Sequence, residues 1–136
     1  VLKGAVQKVL GAKLTTSVYT SGKHGRLTVR FDRKPAEEEL ARIEQAANMK
    51  VSEEAEVAEF EMEKDEAEKH FGDQVYDLFP VPASVIRLKI VRIPDWNINC
   101  CIERHVENTS LVGTIKLGKP RFRNSRKELE LEFDVV

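Results

Sequence analysis

Hydrophobic positions change their period several times along this chain. Leu2, Val6, Val9 and Leu10 share one helical stripe, and Gly11 supplies a stop, so residues 1–12 predict a helix. The period then drops to two. Leu14 to Thr20 reads as a strand, Ser21-Gly22-Lys23-His24-Gly25 as a turn, and Arg26 to Asp32 as a second alternating strand. Residues 14–32 therefore predict a hairpin. Pro35 opens a second helix, with Glu37, Glu38 and Glu39 in a first turn where the helix dipole favours acids. Leu40, Ile43 and Ala47 form its apolar stripe.

Alternation returns at residues 57–62, with Ala58, Phe60 and Met62 on one face and Glu59 and Glu61 on the other. Asp65 to Phe71 predicts a short helix stopped by Gly72, and Pro80 and Pro82 mark a loop. Residues 85–93 read as an apolar and basic strand that Pro94 ends. Two strands, near 112–117 and 128–135, close the chain. In the last, Leu129, Leu131, Phe133 and Val135 alternate with Glu130, Glu132 and Asp134. There is no regular βαβ period and no glycine-rich phosphate loop. The expected class is α+β, a single domain over residues 1–136 with an antiparallel or mixed sheet and helices packed on it.

The 136 residues suffice for one domain with a core, and 41% hydrophobic against 33% charged residues fits a globular chain. No stretch approaches the roughly 18–20 apolar residues of a membrane span, and no signal peptide is visible. Two adjacent cysteines are no disulfide framework, which points to a reduced, cytoplasmic setting. A net charge of −1 argues against indiscriminate nucleic-acid binding but leaves room for a local basic patch.

The chemistry concentrates in Asp95-Trp96-Asn97-Ile98-Asn99-Cys100-Cys101 and its continuation to His105. If residues 96–101 are extended, Trp96, Ile98 and Cys100 point one way, and Asn97, Asn99 and Cys101 the other. A polar face ending in a thiol, with an imidazole four residues on, reads as the wall of a site. Cys101 and His105 supply two metal ligands where zinc wants three or four. A buried cysteine beside a surface histidine is the ordinary alternative, and a Cys101 nucleophile with His105 as its base is another. His24 in the hairpin turn and His70 near a helix end read as solvated residues. A second feature is a basic tract without an intervening acid: Lys116, Lys119, Arg121, Arg123, Arg126 and Lys127. It suits a phosphate backbone, or it guards a strand edge. Lys3 and Lys8 could add to the same field, but sequence alone does not place them there. The acidic run from Glu53 to Glu68 reads as a solvated outer face.

Four segments together resemble the AlaX family, relatives of the alanyl-tRNA synthetase editing domain. They are Lys3-Gly4-Ala5-Val6 with Val9-Leu10-Gly11, Phe31-Asp32-Arg33-Lys34-Pro35, Phe71-Gly72 with Tyr76-Asp77-Leu78-Phe79-Pro80-Val81-Pro82, and Asp95-Trp96-Asn97 with Cys101 and His105. The resemblance covers nearly the whole chain and implies the fold of the threonyl- and alanyl-tRNA synthetase editing domains. It implies one zinc ion held by a His-x-x-x-His half and a Cys-x-x-x-His half. Cys101 and His105 match the second half. The first half would end just before Val1, so residues carrying it are expected upstream of this chain. The implied activity is hydrolysis of serine, and in some members glycine, from mischarged tRNA(Ala). Zinc would activate water, hold the substrate or polarise its carbonyl.

Alanine is smaller than serine, so size alone cannot spare correctly charged tRNA. A polar group that bonds the serine hydroxyl is required, because alanine would leave it unpaired. The family places a threonine on its first strand for this. Thr15 matches best, with Thr16 one register away. Asn97 and Asn99 share the Cys101 face and could bond substrate or orient a ligand. The chain departs from the family at Thr109-Ser110-Leu111-Val112-Gly113, where a glycine and a glutamate are replaced, and again near Ser125-Arg126-Lys127-Glu128. These departures keep open an RNA-binding module on the same fold without hydrolysis.

Overall fold

The computed structural model describes residues 1–12, 14–76, 82–101 and 105–136, with backbone only at 73 and 74. Three helices and seven strands build it in the order α1 (Leu2–Leu10), β1 (Thr15–Ser21), β2 (His24–Arg30), α2 (Glu37–Ser52), β3 (Ala58–Glu63), α3 (Lys64–Phe71), β4 (Arg87–Ile93), β5 (Asn97–Cys100), β6 (Ile115–Arg123) and β7 (Glu128–Val135). The strands form two antiparallel sheets, β1-β2-β7-β6 and β3-β4-β5. The α+β expectation holds, and both sheets are antiparallel rather than mixed. No described helix is long and apolar enough to cross a membrane.

Sequence chemistry explains the element ends. Gly11 adopts the left-handed conformation at φ 72°, and its N–H donates to the Gln7 carbonyl, which closes α1. Glu39 reaches back to accept the Ala36 N–H at 2.9 Å and holds Arg33 through two further bonds of 2.6 and 2.7 Å. Alanine at the N-cap offers no acceptor, so this is half of a capping box. The hairpin turn at Gly22-Lys23 joins Ser21 to His24, and β1 carries a register shift between Thr15 and Ser17.

One face of the four-stranded sheet carries Leu27, Val29, Ile115, Leu129 and Leu131, which pack on Leu2, Ala5 and Val6 of α1 and on Ile43 and Ala47 of α2. Fully burying a side chain such as Ile43 stabilises the fold by about 1.5–3 kcal/mol. The three-stranded sheet is covered on one face by α3 and the 3₁₀ turn Gly72–Val75 after it, where Ala67 and Val75 meet Leu88, Ile90, Phe60, Met62, Ile98 and Cys100. Its other face carries Val57, Val91 and Ile93, against which Val1, Ala55, Trp96 and Cys101 pack. Val1 and Trp96 also touch the larger core, so the opening of α1 and this indole join the two sheets.

Trp96 departs from the expected alternation. It lies in the turn after β4, where its N–H donates to the Ile93 carbonyl and Asp95 takes φ 55°. Strand alternation begins at Asn97, so Ile98 and Cys100 face α3, and Trp96 falls on the Cys101 side. The anchoring contacts of buried Thr109 were also not legible in the sequence. Its hydroxyl accepts the Ala55 N–H at 2.9 Å and donates to the Lys50 carbonyl at 2.7 Å, fastening the end of α2 to the 3₁₀ turn Thr109–Leu111.

Candidate active site

The face of β3-β4-β5 turned towards α1 gathers the sequence-nominated residues of β5. Trp96 is seated by Gly4, whose missing Cβ leaves room for the indole against α1. The indole N–H donates to the Val1 carbonyl at 2.9 Å, and Lys8 and Lys50 lie over the ring at 5.4 and 4.9 Å. Lys3 donates to Asn99 Oδ1 at 2.8 Å. Lys3 and Lys8 therefore engage the α1–β5 junction rather than simply extending the basic tract.

Cys101 is half-buried against Val57, Val91, Ile93, Val1 and Trp96. Its N–H donates to the Lys89 carbonyl at 3.1 Å, which continues the β5 ladder by one residue. Neither this cysteine nor Cys100 forms a disulfide among the described residues. His105 lines a cavity of about 300 Å³ with Val57, Glu59, Val106 and Glu107. Val57 thus borders both the Cys101 cluster and the His105 cavity. Residues 102–104 between the two lie outside the described residues, as does the Asp77-to-Val81 part of the resemblance.

Glu59 makes contacts that the sequence did not reveal. It belongs to the acidic run expected to be a solvated face and is exposed there, and its carboxylate accepts the His105 backbone N–H at 2.9 Å and lies 3.4 Å from His105 Nδ1. Its other oxygen is 3.1 Å from Lys89 Nζ. The side chains of Lys89, Glu59 and His105 are 28, 31 and 32% exposed, so water screens these charges in part. The Lys89 bond first, then the His105 N–H and the nearby positive charges, hold the Glu59 carboxyl below its ordinary pKa, against an opposing desolvation cost. Alternation alone had put Glu59 opposite Phe60; it could not say that this opposite face borders His105.

Asn97 Oδ1 is buried and has no hydrogen-bond partner among the described residues. Asn99 is occupied by Lys3. Thr15 is 2% exposed and pairs with Val29 on the helix-covered face of the four-stranded sheet. It is not among the described residues lining the His105 cavity. Thr16, by contrast, uses its hydroxyl locally, donating to the Thr28 carbonyl at 3.3 Å.

The donor chemistry of Cys101 and His105, a thiol and an imidazole, fits zinc. Among the described residues no group of three His, Cys, Asp or Glu side chains is arranged to hold a metal, so this pair is at most part of a set. The other two histidines keep ordinary surface partners: His24 Nδ1 sits 3.0 Å from Asp134, and His70 lies 3.6 Å from Glu66.

The basic tract lies on β6 and the turn that follows. A register shift between Leu117 and Pro120 keeps Lys116 exposed on the side of Lys119, Arg121 and Arg123. Arg126 and Lys127 are exposed in the turn, where Lys127 Nζ donates to Asn124 at 2.7 Å. Across the ladder, Lys116, Arg121 and Arg123 face Asp134, Glu130 and Glu128 of β7. An acidic row therefore lies beside the basic strip and offsets part of its field.

Comparison with known proteins adds a second line. The chain is 36% identical over 124 residues to alanine–tRNA ligase of Pyrococcus abyssi, with 86% of the chain covered. It is 35% identical over 118 residues to that of Hyperthermus butylicus, and 33% identical over 120 residues to that of Staphylothermus marinus. The chain is homologous to one segment of alanine–tRNA ligase. It spans 13% of the length of each of these ligases. No family model matches it. The relatives are alanine–tRNA ligases, so they support kinship with the synthetase and do not bear on whether the segment stands alone, as AlaX would imply.

Proposed function

We propose that this chain is an aminoacyl-tRNA editing domain that hydrolyses the serine ester of mischarged tRNA(Ala), with zinc bound in part by Cys101 and His105. The observation that carries this reading is the convergence of Val1 at the start of α1, Trp96 and Cys101 on one cluster that shares Val57 with the His105 cavity. Kinship with alanine–tRNA ligase supplies the tRNA context.

Zinc, when bound, would supply a Lewis acid that polarises the ester carbonyl or water. The chain's own residues do the remaining work. Asn97 Oδ1 offers an unused acceptor to a donor on the substrate, such as its amine or hydroxyl. Trp96 and the Val57-Val91-Ile93 cluster give Cys101 a largely apolar setting with limited water. Thr15 is the proposed serine sensor, and its discrimination would come from the cost of leaving a buried hydroxyl unpaired when alanine is bound. Lys116, Lys119, Arg121, Arg123, Arg126 and Lys127 are the proposed tRNA contact, acting on phosphates.

The test is deacylation of Ser-tRNA(Ala) by the full-length protein with and without a chelator. Turnover that disappears on chelation, returns with zinc and is lost in Cys101→Ala supports the reading. One observation favours a second reading, an RNA-binding module without hydrolysis: the described residues gather no three-member donor set. Tight tRNA binding with no turnover, with or without added zinc, would select it. Activity abolished by alkylation and untouched by chelation would instead favour a metal-independent cysteine hydrolase.

A further inference from the structure

We infer that Glu59 and Lys89 form a positioning pair that fixes both ends of the segment from Cys101 to His105. The inference deepens the proposed function, because it concerns the same two side chains. Lys89 sits mid-strand in β4, between β3 and β5, and so reaches both neighbours. Its carbonyl accepts the Cys101 N–H at 3.1 Å. Its ammonium lies 3.1 Å from one oxygen of Glu59 on β3. The other oxygen of Glu59 accepts the His105 N–H at 2.9 Å and approaches His105 Nδ1 at 3.4 Å. One residue thus tethers Cys101 directly and His105 through a single carboxylate.

The geometry has a chemical consequence. The carboxylate lies 3.4 Å from Nδ1, an electrostatic contact beside the backbone hydrogen bond, so it restrains where the ring sits. The backbone bond holds the His105 main chain to β3 while the ring contact biases its rotation. Glu59 touches no reacting atom in this arrangement; it acts through His105. The partial exposure of all three side chains means that the contribution is orientation rather than a large share of fold stability. Glu61 and Arg87 of this sheet pair with each other, Arg87 Nη2 lying 3.7 Å from Glu61.

The experiment uses the metal-free full-length protein and ¹⁵N NMR of the His105 amide and ring. The expected wild-type spectrum has a backbone amide shifted by a charged acceptor and ring signals of one restrained environment. In Glu59→Ala the amide shift should collapse and the ring signals should move. Glu59→Gln keeps a neutral acceptor and should retain part of both signals. Lys89→Met, which leaves the carbonyl bond to Cys101 intact, should loosen the His105 signals and spare the Cys101 amide; it also covers the case in which Glu59→Ala fails to fold. Unchanged His105 ring and amide signals in folded Glu59→Ala or Lys89→Met would overturn the inference. A zinc titration adds a second arm, with about 10- to 100-fold weaker binding expected in Glu59→Ala. His105 signals that respond while no Ser-tRNA(Ala) is hydrolysed would leave the pair standing and remove the editing reading. Hydrolysis with unresponsive His105 signals would do the reverse.

Discussion

At the scale of single residues, the junction between α1 and β5 depends on what is small. Gly4 lets the Trp96 indole lie against the helix, and a Cβ there would overlap the ring, which is rigid. Gly4→Ala should cost about 1–3 kcal/mol through overpacking, despite alanine's better helix propensity. Urea unfolding followed by Trp96 fluorescence checks it, and an unchanged midpoint would contradict this seating. Thr109 is buried and uses its hydroxyl both ways, so Thr109→Val leaves the Ala55 N–H and the Lys50 carbonyl short of a partner. A loss of about 1–3 kcal/mol follows, again read by unfolding. Thr15 separates two roles in one variant. As a serine sensor, Thr15→Val should flatten the ratio of Ser-tRNA(Ala) to Ala-tRNA(Ala) hydrolysis; as a core threonine alone, it should alter stability and leave the ratio in place.

At the scale of elements, α2 does more than cover a sheet. Asn48 bonds both the N–H and the carbonyl of Ile115, at 2.8 and 2.9 Å, and Glu44 accepts the Leu117 N–H at 2.9 Å. These two side chains, one helical turn apart, occupy the open edge of β6 much as another strand would. Asn48→Ala should speed amide exchange at Ile115 and cost about 1–3 kcal/mol. The start of α2 carries a pH response. Arg33, the Ala36 N–H and nearby charge lower the Glu39 pKa to about 2. A depressed carboxylate stabilises the fold above its unfolded pKa, and that contribution is lost as pH falls from about 4.5 towards 2. Glu39→Gln should therefore reduce stability at neutral pH and make the acid limb of a pH–stability curve shallower. An acid limb of unchanged slope would rule out this role for Glu39.

At the scale of the whole molecule, charge is arranged in rows rather than in one basic surface. The β6 strip lies beside Glu128, Glu130 and Asp134 of β7, and Arg26 of β2 lies 3.7 Å from Glu130. Binding of tRNA should then rest on the outermost cations. Lys119→Ala and Arg123→Ala should each lower the salt slope of tRNA affinity by about 1, equally for cognate and non-cognate tRNA. A slope that does not change in either variant would remove β6 from the proposed contact.

The order of elements was legible in the residues because periods of two and about four, broken by glycine and proline, are local properties of the chain. Gly11 and Gly72 ended helices as expected, and Ala58, Phe60 and Met62 kept one face. The family resemblance nominated Cys101 and His105, and the alternation of β5 put Asn97 on the Cys101 side. Trp96 broke that alternation because a turn at Asp95 reset the phase before β5 began. Glu59 is exposed as the acidic run suggested, but its bonds to His105 and Lys89 were not legible, because alternation names two faces of a strand without saying what stands over each. Only packing decided that. Lys89 bridges β3 and β5 because the sheet order puts β4 between them, and contacts between residues tens of positions apart leave no periodic trace in sequence.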